Sequence, residues 1–261
     1  MGRALIGGLL RSGTRAEQLS VAESQPAARE ALARDFGISA AGDTAAAVAG
    51  APIVVLAVKP QDAAAVLQPL AAALAAERRL LISVAAGVRI AALESWCGAG
   101  VPVMRAMPNR PARVGAAATG LFAAPAVSHE QRVAAERVLQ SVGEVFWVPT
   151  EELLDVVTAL SGSGPAYFFL LAELMAEAGA ELGLERAVAQ RLAAATLYGA
   201  GLLARSGDVD LARLREEVTS AGGTTEAALR AFEAANLRAT VRAALVAATQ
   251  RGRELARQTL P

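Results

Sequence analysis

The chain has 261 residues, 25 basic against 25 acidic, one cysteine and one histidine, which leaves room for two domains or one large one. Balanced charge without a basic patch or basic–aromatic interleaving excludes a nucleic-acid partner. A lone Cys97 excludes an internal disulfide and fits a reducing compartment, and a lone His129 argues against a His-rich metal site or a His-based triad, so no metal is expected.

Residues 1–12 read as an amphipathic helix through Ala4, Leu5, Ile6, Leu9 and Leu10. Residues 19–23 read as a strand, 25–36 as a helix ended by Gly37, and 44–49 as a short helix beginning at Thr44. Residues 53–58 are an apolar, β-branched run of the kind that forms a parallel strand buried on both faces. Pro60 suits the first turn of the next helix, which is expected to run to about Ala76. Strands are expected at 80–84, 101–105, 116–123 and 145–148, and helices at 89–96 and 128–142. Ser128 and Gln131 have the spacing of a capping box, which puts His129 in a helical first turn.

The alternation of strands and helices predicts an α/β domain over residues 1–150, a mostly parallel, Rossmann-like sheet with helices on both faces. From Glu151 the strand signal vanishes, and 151–160, 165–182, 185–205, 208–218, 225–235 and 237–258 read as helices of an all-α second domain, 151–261. Its breaks are expected at Gly162 and Gly164, Gly183, Gly207, Gly222 and Gly223, and Asn236. The longest uncharged run, 156–172, is shorter than a span of about 20 residues and contains Ser161-Gly162-Ser163-Gly164-Pro165. The apolar run at the start is short and closed by Arg11, with no cleavage site after it. No membrane partner and a cytoplasmic location are therefore expected.

Ligands of an open parallel sheet bind beyond the carboxyl ends of its strands. Here those positions hold Ser24, then Lys59 and Pro60, then Ala85, Ala86 and Gly87, then Met107, Pro108 and Asn109. These are small or tight-turning groups against which a dinucleotide lies close to backbone. Lys59 is the only lysine beside 24 arginines, and arginine does not replace a compact ammonium where space is tight. A second candidate site is the stretch 218–226, where Gly222 and Gly223 are flanked by Thr219, Ser220, Thr224 and Thr225 before a new helix. Glycine permits close approach, hydroxyls donate, and a helix N-terminus offers free N–H groups, together a site for a small carboxylate or phosphate. The plain alternative is a capped helix–turn–helix linker.

Five motifs in order, Ala57-Val58-Lys59-Pro60, Ser83-Val84-Ala85-Ala86-Gly87-Val88, Arg105-Ala106-Met107-Pro108-Asn109, Leu160-Ser161-Gly162-Ser163-Gly164-Pro165-Ala166-Tyr167 and residues 218–229, resemble those of pyrroline-5-carboxylate reductase over nearly the whole chain. The resemblance implies hydride transfer from NADPH or NADH to 1-pyrroline-5-carboxylate, the last step of proline biosynthesis. It implies a cofactor site at Gly2, Glu23, Ser24, Thr44, Ala57, Val58, Lys59, Pro60, Ala85, Ala86, Gly87, Met107 and Asn109. The substrate carboxylate would be held by Val218, Ser220, Gly222, Gly223 and Thr224, and Thr225 would set its hydroxyl at the ring nitrogen. The helical half would make a homodimer, or a larger assembly of dimers, with the site at that interface. No strong acid or base is required, because a protonated cyclic imine is already an electrophile and orientation supplies several kcal/mol.

Two departures accompany the resemblance. The family opens with a strand and a G-x-G-x-x-[GA] turn, of which only Gly2 has a counterpart here, so the expectation is that the first strand is missing and that the functional protein begins upstream of Met1. Glu23, at the end of the expected second strand, would bond a ribose 2′-OH and repel a 2′-phosphate, favouring NADH, while Ser24 could still receive a phosphate. Two other readings stay open. One is a different small-acid dehydrogenase, against which stands the absence of any lysine or histidine beyond residue 129. The other is a non-catalytic or cofactor-impaired paralogue or truncated form.

Overall fold

The computed structural model describes residues 1–207 and 210–258. Packing divides the chain into two compact units, Met1–Ser163 together with the stretch from Ala248 onward, and Gly164–Ala247.

The first unit is built on a five-stranded sheet in the order β1 (Ile53–Leu56), β2 (Leu80–Ser83), β3 (Val103–Met107), β4 (Ala117–Ala123), β5 (Gly143–Trp147). All neighbours are parallel except β3 and β4, which pair antiparallel from Met104↔Ala123 to Met107↔Gly120. Side chains alternate across a strand. Val54, Leu56 and Leu81 therefore pack with Leu67 of α4 (Ala63–Leu67), Leu74 of α5 (Ala71–Ala76) and Leu93 of α6 (Ile90–Cys97). Ile53, Val55, Leu80 and Ile82 face the other way, towards Leu5 of α1 (Gly2–Arg11) and Leu139 of α7 (His129–Gln140). The result is the expected mostly parallel sheet with helices on both faces. The capping box at Ser128 and Gln131 forms as read, and Gly37 closes α2 (Pro26–Phe36) in the left-handed conformation at φ 68°.

Four local expectations are corrected. Residues 19–23 do not join the sheet, and make only a parallel bridge between Ala22 and Ala41, flanked by bonds from Glu23 N to Ala41 O and from Ala41 N to Val21 O. A strand needs a ladder partner, and among the described residues β1 pairs with β2 alone. For the same reason β1 is an edge strand, and Ile53, Val54 and Val55 are only half-buried, not covered on both faces. The helix expected over 60–76 is cut into α4 and α5, with 3₁₀ turns at Pro60–Asp62 and Gln68–Leu70. Pro69 explains the second cut, since it lacks an N–H and its ring clashes with the preceding turn.

The fourth concerns residues 158–165. The Ser161–Pro165 motif does not interrupt the helix. α8 (Leu153–Val157) runs through a π turn, Thr158–Gly162, into α9 (Gly164–Glu181). Ser163 N bonds to Thr158 O at 2.8 Å, a five-residue step, and the Thr158 and Ser161 hydroxyls bond back to Leu154 O and Val157 O. The stretch Leu153–Glu181 is consequently long and apolar enough to cross a membrane by length and composition, although it carries Asp155, Glu173, Glu177 and Glu181.

The second unit is helical. It holds α9, α10 (Arg186–Arg205), α11 (Leu211–Glu217), α12 (Thr224–Ala234) and the first part of α13 (Leu237–Gln258). Residues 208 and 209 of the expected helix 208–218 lie outside the described residues. The buried cluster here is Ala176, Ala189 and Ala193, backed by Ala172 and Ala180. Alanine forms the seam between α9 and α10 of one chain. The large side chains stay outside, with Phe168 58%, Phe169 59%, Leu174 52% and Tyr198 70% exposed. Solvent-facing aromatic and leucine side chains in such number mark a surface that is covered by another protein.

Candidate active site

Parallel register brings three strand ends to one edge. Leu56 pairs with Ser83, and Ser83 with Arg105, so β1 and β2 finish level and β3 runs two residues further, to Met107. Ala57, Val58, Lys59 and Pro60 leave the first, Ala85, Ala86 and Gly87 the second, and Met107 and Asn109 lie at the third. Gly2 joins them, since a Cβ there would stand 3.5 Å from Ala57 Cβ. That places the first turn of α1, with its unsatisfied N–H groups, beside the carboxyl end of β1. Lys59 and Ala86 are exposed, and Gly87 turns with φ +79°. The last turns of α13 pack here too, with Ala256 N 3.6 Å from a Cβ built on Gly87.

Glu23, Ser24 and Thr44 are not tied to this edge by the sheet. Glu23 follows the Ala22 bridge, its Oε1 accepting from Gln25 N at 2.9 Å, and Arg29 donates to the Glu23 and Ser24 carbonyls at 2.9 and 3.0 Å. Thr44 opens α3 (Thr44–Val48), which Asp43 caps.

Asn109 is buried, and each end of its amide makes a hydrogen bond. Nδ2 donates to Ser161 O at 3.0 Å, and Oδ1 accepts from Ala118 N at 3.1 Å. At the strand end it therefore joins two stretches of backbone. Met107 is half-exposed, and its Cε lies 2.8 Å from where a Cβ on Gly162 would sit. Gly120 of β4 is needed for similar reasons: a Cβ there would meet Val157 at 2.7 Å.

The sequence reading missed a buried charge cluster behind this edge. Arg105 and Asp155 are 5% and 3% exposed, and charges so buried require partners. Arg105 donates to Glu151 Oε1 at 2.7 Å, Arg89 to Asp155 Oδ2 at 2.5 Å, and Ile90 N to Glu151 Oε1 at 2.7 Å. Burial lowers the pKa of the Arg105 guanidinium, opposed by its bond to Glu151. The available signal was the pair of acids four apart, Glu151 and Asp155, at the start of an apolar helix.

In the second unit, Val218, Ser220, Gly222 and Gly223 lie in the turn between α11 and α12, and Thr224 and Thr225 open α12. Gly222 takes φ +71° and its N–H donates to Glu226 Oε2 at 2.6 Å. Glu226 is held below the usual carboxylate range by Arg230 first and by this N–H second. The helix N-cap is Gly223, with no side-chain cap. The linker reading required a hydroxyl cap, and among the described residues the Ser220, Thr224 and Thr225 hydroxyls are not used for one. A Cβ on Gly223 would collide with Ser220 Oγ, so glycine there keeps the hydroxyl against the start of α12. The loop combines uncommitted hydroxyls with the free N–H groups of a helix start.

A relative from Pseudomonas aeruginosa named pyrroline-5-carboxylate reductase is 47% identical, over 99% of this chain and 94% of its own length. The chain belongs to the pyrroline-5-carboxylate reductase family. A second reductase of that name, from Mycobacterium tuberculosis, is 42% identical over 98% of the chain and 93% of its own. The family description "Pyrroline-5-carboxylate reductase dimerisation" matches residues 151–255, and "NADP oxidoreductase coenzyme F420-dependent" matches residues 1–87. Among solved structures, a pyrroline-5-carboxylate reductase from Coxiella burnetii superposes with TM-score 0.94 at 38% identity, covering 97% of this chain and 94% of that one. The Plasmodium falciparum pyrroline carboxylate reductase with NADP bound gives 0.83 at 26% identity, covering 98% and 94%. In this reductase family the helical match to a dimerisation region agrees with the exposed apolar faces of α9 and α10: the protein is a homo-oligomer acting on a small molecule.

Proposed function

We propose that this protein reduces 1-pyrroline-5-carboxylate to L-proline with NADPH or NADH. The observation that carries the reading is the set of Ser220, Thr224 and Thr225 hydroxyls, none of them used as a helix cap, beside the first-turn N–H groups of α12, which suits a small carboxylate, in a chain whose β1–β3 ends offer an edge for a dinucleotide. That edge fits the cofactor: Gly2 keeps the start of α1 close against Ala57, the arrangement that cradles a pyrophosphate. When bound, the nicotinamide supplies the hydride that C5 of the imine accepts.

Ala57, Val58, Lys59, Pro60, Ala85, Ala86, Gly87 and Met107 hold the cofactor, Asn109 fixes the backbone beside it, and Glu23, Ser24 and Thr44 act at the adenosine end. Ser220, Gly223, Thr224 and the neighbouring N–H groups grip the carboxylate, with Val218 and Gly222 shaping the loop. Thr225 sets its hydroxyl at the ring nitrogen, which takes up the electron pair of the C=N π bond as hydride reaches C5 and stays in the ring as the secondary amine of proline. Residues 1–150 serve the cofactor and 151–261 the substrate and a dimer contact. The dimer buries on the order of 2,000 Å² or more, as obligate interfaces do, chiefly Phe168, Phe169, Leu174 and Tyr198. The enzyme works in the cytoplasm; the charged groups of Leu153–Glu181 and the ion pair of Asp155 suit a protein-covered helix better than a lipid-covered one.

Purified protein mixed with NADPH or NADH and racemic pyrroline-5-carboxylate should oxidise the cofactor and form proline mole for mole. Tight cofactor binding without oxidation, at any imine concentration, would overturn the reading.

A further inference from the structure

The geometry points to Glu151 as a positioning residue that sets the spacing between the turn after β2 and the turn after β3 through one shared carboxylate. The inference rests on the proposal that these two turns hold the cofactor. The β2–β3 ladder ends at Ser83↔Arg105. Beyond that pair no strand bond fixes Ala85–Gly87 relative to Met107–Asn109, so something else must.

Glu151 Oε1 accepts from Ile90 N, three residues past Gly87, and from Arg105 Nη1, two residues before Met107, both at 2.7 Å. One oxygen thus ties the N-terminus of α6 to β3, where the helix end favours a negative charge. The segment carrying Glu151 is fastened twice more. Arg89 donates to Asp155 at 2.5 Å and to the Glu151 carbonyl at 3.3 Å. At the far end Asn109 holds Ser161 O, and Gly162 lies under the Met107 methyl. The π turn is what delivers Ser161 and Gly162 to that strand end. Buried ion pairs add little net stability compared with apolar packing, whereas fixing one arrangement among several is their best-attested use.

The test uses the full-length protein with ¹³C-labelled methionine methyls, the Met107 signal assigned with Met107→Leu. Glu151→Gln keeps the shape and removes the charge. Glu151→Asp keeps the charge on Arg105 but shortens the reach to Ile90, and serves if the first variant does not fold. The expected result in the folded variant is a shifted or broadened Met107 methyl, with kcat lowered about tenfold or more and KM for the imine little changed, as for small misplacements of reacting groups. A lower melting temperature with the Met107 methyl, kcat and KM all as in the wild type would show Glu151 to be structural only and overturn the inference. If the wild type itself fails to oxidise cofactor with pyrroline-5-carboxylate, the functional reading falls, and the Met107 methyl still decides the positioning role.

Discussion

Gly8 lies against Val142 so closely that a Cβ on Gly8 would stand 2.6 Å from Val142 Cγ1 and 2.6 Å from the Ser141 carbonyl oxygen. The second obstacle is backbone and has little room to give. Helix α1 thereby sits directly on the end of α7, and its first turn reaches the carboxyl end of β1 only because nothing larger than hydrogen separates the two helices. Gly8→Val should cost about 1–3 kcal/mol, the usual penalty of overpacking. The midpoint of chemical unfolding should fall, and cofactor affinity should weaken with it as α1 lifts away. An unchanged midpoint would refute the close contact.

Thr225 should act on rate more than on stability. Because Gly223 is the N-cap of α12, removing the Thr225 hydroxyl takes no cap from the helix. Thr225→Ala and Thr225→Val should each lose about ten- to hundredfold in kcat, the equivalent of one positioned hydrogen bond, with melting temperatures near the wild type. Full activity in both with lowered melting would mark Thr225 as structural.

Lys59 stands exposed at the end of β1. Lys59→Met should raise KM for NADPH or NADH more than KM for the imine. Steady-state kinetics with each substrate varied in turn decide it; equal effects on the two constants would remove Lys59 from the cofactor edge.

Cys97 is fully buried at the end of α6, and burial pushes its thiol from 9.0 up to about 11. The folded state holds the thiol neutral. Its contribution to stability is complete below pH 9.0 and is lost as pH rises from 9.0 towards about 11. Iodoacetamide at pH 8 should modify the native protein far more slowly than the urea-unfolded chain, and Cys97→Ala should flatten the alkaline fall in stability. Equal labelling rates would show the site to be open.

Much of the frame was legible because periodicity is local. The runs at Ile53, Leu80 and Val103 announced strands, and Ser128 with Gln131 announced a helix start that forms as read. The loop of residues 218–226 was legible for a similar reason: glycines, hydroxyls and a following helix are adjacent in sequence. What escaped depends on distant partners. Arg105 with Glu151 and Arg89 with Asp155 are 46 and 66 positions apart, and a single sequence does not pair them. The failure of residues 19–23 to enter the sheet depends on the neighbours of β1, not on their own pattern. Gly162 and Gly164 suggest a break, and the uninterrupted helix expected over 60–76 overlooks Pro69; whether a breaker stops a helix or only rewinds it is settled by packing, here Gly162 under Met107 and Val157 against Gly120.

The single lysine has a practical side. Amine-directed chemistry, whether a fluorescent ester, a biotin tag or a sensor-chip coating, finds one side chain on the entire protein, at Lys59. Molecules attached through that side chain are held at the end of β1. Those molecules would share one orientation, with the proposed cofactor edge pressed against the support, so affinities measured on them would report the one face of the molecule that immobilisation has closed.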